Sequence, residues 1–197
     1  MLKDKTIAEK LEEVFEKKKY KFFTSPLSVN IFAIRCETGT DEFDDIIGIA
    51  YYDSFGDFSL HTFKGTTEPG RFYLNNPLRE EGCAIMVENQ YLGVYEVGPH
   101  GRTGYEACRQ AKNIKVYRDN NGNNQHDLDP STIQEGIFYT NIHHGWDAAK
   151  VGKNSAGCIV IQSKQQFTNI FMPLVKQSAK LCGKRFSFTL LNKKDFE

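Results

Sequence analysis

The chain has no net charge, no CxxC pair and no apolar run of bilayer length. Twenty-five Lys and Arg balance twenty-five Asp and Glu over 197 residues, so charge gives no argument for nucleic acid as a partner. No segment offers the roughly 20 consecutive apolar residues of a membrane helix, so membrane insertion is not expected. MLKDKTIAEKLEEVFEKKK at the N-terminus is charged throughout and lacks an apolar h-region. It does not read as a secretory leader, which makes the cytoplasm the default expectation. Five cysteines, at 36, 83, 108, 158 and 182, form an odd set. That excludes a complete disulfide framework, and no spacing suggests a zinc site or a resident cofactor.

Large apolar residues are abundant, with fifteen Phe and nine Tyr against a single Trp. Ile7, Leu11, Val14 and Phe15 recur at helical spacing on a charged background, so residues 1–24 read as an N-terminal amphipathic helix. After Pro26 the texture turns β-branched and aromatic. SVNIFAIRC, DIIGIAYYD, FSLHTF, RFYL, CAIMVE, QYLGVYEV, IKVYRD, GIFYTNIHH, CIVIQ and RFSFTLL follow one another between turn-rich segments. Residues 165–182 interrupt them with a helical pattern through Phe167, Ile170, Phe171, Leu174 and Val175. The expectation is a mainly β domain over 25–197, a β-sandwich or partly closed barrel with one or two accessory helices. DNNGNNQHDLD at 119–129 fails as an EF-hand, because Asn124 and Pro130 stand where Gly and Glu are required. It reads as a turn-rich loop, with a calcium site of another kind left open.

Chemistry concentrates in YTNIHHGWDAAKVGKNSAGCIVIQ (139–162). Cys158 follows Ser-Ala-Gly and opens an apolar run, so it stands where a loop enters a strand. A nucleophilic cysteine needs a nearby base to become a thiolate near neutral pH. His143 and His144 end the preceding strand and point to opposite faces by the period-two rule, so one of them at most faces the thiol. Arg35, Arg71, His100 and Trp146 are further candidates for substrate contact, each with a plain structural alternative. Cys36, Cys83, Cys108 and Cys182 read as packing residues.

At these residues a family likeness appears. IHHG together with SAGCIVI resembles the active-site signature of L,D-transpeptidase-like (YkuD-like) catalytic domains, where a histidine in an I-H-G context precedes a [S/T]-H-G-C segment that starts a strand. TTEPGRFYL (66–74) resembles the upstream T-P-x-G-x-F/Y segment, a strand entry near the active site. FDDIIGIAYYD and GPHGRTGYEA are more loosely similar to a phage and bacterial branch with NIH and SAGC versions of the signature. The likeness spans residues 28–175. It implies an L,D-transpeptidase-like β-sandwich core and a cell-wall peptidoglycan stem peptide as substrate. It further implies Cys158 as nucleophile and His143 as base and later acid, with His144 as rival. Gly157 and Cys158 would supply oxyanion amides, while Ser155 shapes the turn or touches substrate. Release by lysis or a non-classical route would then bring the chain to the wall. Two departures stand out: Ala156 replaces the usual histidine before Gly-Cys, and Val160 replaces a polar residue two positions after the cysteine. Transferase and hydrolase outcomes therefore stay open, as do a cysteine peptidase with protein substrates and a non-catalytic glycan-, peptide- or protein-binding module.

Overall fold

The computed structural model describes residues 3–36, 39–101 and 103–197. Strand accounts for 34% of the chain and helix for 23%, so the mainly β expectation holds. Eight strands form a closed barrel rather than an open sandwich, and three more form a small separate sheet. The barrel strands are β1 (Asn30–Arg35), β2 (Asp45–Tyr52), β3 (Phe58–Thr66), β5 (Gln90–Pro99), β6 (Glu106–Gln110), β9 (Ile142–His144), β10 (Ile159–Ile161) and β11 (Arg185–Asn192). The small sheet is built from β4 (Cys83–Met86), β7 (Ile114–Asp119) and β8 (Gln134–Gly136). Around the barrel the order is β1-β11-β5-β6-β9-β10-β3-β2, with β1/β11 and β9/β10 running parallel.

Strand β1 is buried along its whole length instead of alternating. Ile31 and Ala33 face the main core, whereas Phe32 and Ile34 face outward into a second cluster. Helix α1 (Asp4–Lys17) supplies the cover, laying Ile7, Leu11, Val14 and Phe15 over those outward residues. A strand covered on both faces reads as a continuous apolar run. Gly48 lies opposite Phe32, and a Cβ there would come within 2.1 Å of the Phe32 ring. The missing side chain is what lets the ring lie flat on the barrel wall.

RFYL departs from the expected strand: it belongs to the short helix α2 (Arg71–Asn75). The TTEPGRFYL segment therefore leaves β3, turns at 67–70 and enters a helix. The helical pattern beyond Ser163 forms α3 (Lys164–Gln166), a π turn (Phe167–Phe171) and α4 (Met172–Cys182) in direct succession. Phe167, Phe171, Met172 and Val175 from this segment fill the main core. Cys36, Cys83 and Cys108 are buried and Cys182 is exposed, so Cys182 is not the packing residue expected of it.

A polar cluster fills the space beside the β3 exit. Arg35, fully buried, donates through Nε to Thr67 Oγ1 (3.0 Å) and through Nη2 to Met86 O (3.0 Å), and it pairs with Glu68 at 3.2 Å. Glu68 also binds His126 Nδ1 at 2.9 Å, while His126 Nε2 meets Pro69 O at 2.9 Å. Asp45 accepts from the Cys36 and Thr67 amides and the Thr67 hydroxyl, each at 2.7 Å. Burial and the neighbouring Glu68 charge raise the Asp45 carboxyl above the usual range, against the pull of these donors.

Candidate active site

Two adjacent parallel strands build the site. Ile159 pairs with Ile142, Val160 with His143 and Ile161 with His144. Ile142, Ile159 and Ile161 enter the main core, so His143 and Val160 occupy the opposite face. Cys158 packs on the same outer cluster as Val160, with Phe43 and Val151. Cys158 immediately precedes this pairing: the Ile159 amide donates to Asn141 O at 2.9 Å, two residues before His143.

The loop before Cys158 is held by its own hydrogen bonds. Ser155, buried, donates through Oγ to Cys158 O (2.8 Å) and accepts from the Gly157 amide (3.1 Å). Ser155 is therefore a turn-shaping residue. The Gly157 amide is committed to that serine, which removes it from the expected oxyanion pair. Among the described residues the Cys158 amide has no acceptor. Gly157 has φ 122°, and a Cβ at that position would stand 2.1 Å from Ala84 O. Only glycine lets the loop press against β4 here. The Gly70 amide donates to Ser155 O at 2.9 Å, so the turn after β3 braces the same loop.

Both central groups rest in their neutral forms. Burial, offset partly by the Asn141 amide, pushes the Cys158 thiol up to about 11. The thiol donates to Tyr139 O at 3.6 Å. Burial first, and His100 next, bring His143 down to about 3. His143 Nδ1 lies 3.0 Å from His144 O. Because a carbonyl only accepts, the proton sits on Nδ1 and the Nε2 lone pair is left available. No hydrogen bond joins Cys158 to either histidine in this resting arrangement.

The other expected residues divide clearly. His100 lies tilted against His143 with ring centroids 4.2 Å apart, and against Tyr105 at 5.1 Å. Asn141 Oδ1 accepts from the Gln110 amide (3.0 Å), so its Nδ2 is the group that faces His100 Nδ1 at 3.5 Å. His144 belongs to the opposite face, stacked on Tyr105 at 4.4 Å and edge-on to Trp146 at 4.4 Å, with its buried Nδ1 unpartnered. Trp146 is half exposed beneath the Lys164 ammonium. Arg35 is sealed in the polar cluster and cannot meet a substrate. Arg71 is exposed, with its amide bonded to Asp41. Within 119–129, Asn121 and Asn123 both donate to Asp127, and among the described residues no group of three metal-ligating side chains occurs.

Cys158 opens onto a cleft of about 570 Å³ between the small sheet, segment 137–140 and the Ala156–Cys158 turn. Four residues here went unnoticed in the sequence. Tyr139 supplies the thiol's acceptor, and Gln110 Oε1 gathers the Phe138 and Thr140 amides. Tyr95 is fully buried with an unpartnered hydroxyl, its phenol pushed well up by burial and then by the Cys158 sulfur. Arg118 lines the cleft wall. Only proximity in the folded chain marks these residues, and no local pattern announces it. Comparison with protein-family models, curated proteins and solved structures finds no match.

Proposed function

We propose that the chain is a cysteine acyl-transfer enzyme, L,D-transpeptidase-like in type, acting on peptidoglycan stem peptides. The observation that supports this reading is the β9/β10 register, which pairs His143 with Val160, two residues beyond a Cys158 that lines the cleft. A tethered imidazole with a free Nε2 lone pair is the form a general base requires. In this scheme Cys158 Sγ attacks the peptide carbonyl while His143 Nε2 takes the thiol proton. The Cys158 amide donates to the developing oxyanion. Collapse breaks the C–N bond, and His143 returns its proton to the departing amine, leaving a thioester. A second amine or water then attacks the thioester, passing its proton to His143; the C–S bond breaks and His143 returns the proton to the departing thiolate, restoring the thiol. The neutral resting pair means that substrate must bring thiol and imidazole together before proton transfer.

Incubation of wild type, Cys158→Ala and His143→Gln with defined muropeptides, followed by mass analysis, tests the scheme. Loss of a terminal amino acid by wild type alone is expected, with crosslinked products marking transfer and their absence marking hydrolysis. Unchanged turnover in Cys158→Ala would sink it. A second reading, a non-catalytic peptide- or glycan-binding module, draws on the thiol's bond to Tyr139 O rather than to a histidine. It expects muropeptide binding with no product from any variant.

A further inference from the structure

Arg118 is partly exposed and anchored by three contacts. Its Nε donates to Gln134 Oε1 at 2.9 Å, its Nη1 donates to Gly82 O at 3.0 Å, and its guanidinium lies 4.8 Å over the Phe138 ring. These contacts fix the plane of the fork and leave Nη2 without an acceptor among the described residues. Among the described residues no carboxylate stands within ion-pairing distance of Arg118, or of Arg79 on the same cleft. Glu81 is the one acidic side chain on the cleft wall, so the two arginines leave it net positive. A guanidinium held flat, with Glu81 acting on it only at a distance and no carboxylate paired to it among the described residues, is suited to a planar carboxylate.

The cleft connects this cation to the thiol in short steps. Phe138, under Arg118, is followed by Tyr139, whose carbonyl accepts from Cys158. Gln110 Oε1 draws the Phe138 and Thr140 amides to one side. The Ile137 and Tyr139 amides, which alternate with them, have no acceptor among the described residues. The wall therefore offers free backbone donors beside exposed Ile137 and Tyr139, which suits an extended peptide.

We propose that this cleft binds an extended peptide through a free carboxylate held by Arg118, with the peptide backbone running toward Cys158. The choice of a peptide rests on the acyl-transfer reading above; the carboxylate site rests on Arg118 itself. An arginine on β7 would then supply the anion recognition that apolar Val160, next to the thiol, cannot.

Binding of N-acetyl-lysyl-D-alanine and of its C-terminal amide, followed by amide chemical shifts in NMR titrations, tests the proposal without requiring turnover. For wild type the free acid is expected to bind about tenfold more tightly than the amide, with shifts at Ile137, Tyr139 and Gly157. Arg118→Gln should erase that preference, Arg118→Lys should restore part of it, and Arg79→Gln should leave most of it. Equal affinity of acid and amide for wild type would overturn the proposal, as would a preference that survives Arg118→Gln. If Arg118→Gln does not fold, the wild-type comparison and Arg118→Lys still decide. Retained acid preference in a protein that turns over no muropeptide would remove the enzymatic reading and leave the carboxylate site standing.

Discussion

With the Cys158 thiol near 11 and the His143 imidazole near 3, alkylation of Cys158 by iodoacetamide should climb about tenfold per pH unit between pH 7 and 10, following the thiolate fraction. Exposed Cys182 should react ahead of it at pH 7.5, and peptide mapping by mass spectrometry reads both rates. His143→Gln should leave this resting profile in place while lowering turnover by about 10²-fold or more; a shifted alkylation curve would mean that the imidazole already contacts the thiol at rest. Gly157→Ala forces a side chain against Ala84 O at positive φ. We expect a loss of about 2 kcal/mol or more, seen in urea melts, together with loss of the site. At this scale the candidate pair was legible, because a cysteine at the mouth of an apolar run and a histidine ending the run before it are local patterns. Tyr139, Gln110 and Arg118 were not, since each acts on residues distant in sequence. Arg35 stood between a substrate contact and a structural charge for a related reason: an arginine in an apolar strand gives no local sign of whether its partner is a ligand or the buried Glu68.

Among the elements, α1 shows how a helix changes the meaning of a strand. Leu11→Ala opens a cavity between α1 and β1, and a cost of about 2–5 kcal/mol is expected in thermal or urea unfolding. Arg35→Ala removes the buried cation beside Glu68 and Asp45 and should cost about 3–5 kcal/mol by the same measurement. The bond from Glu68 to His126 ties the 119–129 loop to the β3 exit. Burial acts to lower the His126 pKa, but the Glu68 carboxylate outweighs it and the net shift is upward. A raised histidine contributes stability that is complete below its ordinary 6.5 and lost as pH rises through the higher folded value. The melting temperature should therefore fall as pH rises from about 6 to 8.5, and His126→Gln should flatten that fall. Strong periodicity made α1 and most strands legible. Strand β6 was missed because Ala107 and Cys108 are both buried, which breaks alternation. GIFYTNIHH was read as one strand, but it divides where Gln110 captures two amides and Tyr139 turns to φ 60°.

The whole molecule was the least legible. Local pattern gave many short strands, but whether they form a sandwich or close a barrel depends on which edges meet, and that choice leaves no mark in any single segment. Closure depends on β11, which enters between β1 and β5 with Ile31 paired to Phe188. That pairing has a consequence in time. Its contacts span most of the chain, so the entropy of bringing the ends together must be met before the barrel gains anything from closing. Refolding from urea should be slow, in the millisecond-to-second range by stopped-flow fluorescence, with no protected barrel core before β11 joins. Until that strand arrives during synthesis, β1 and β5 present open edges to every neighbouring chain, and the interval before closure is when the protein is most exposed to aggregation.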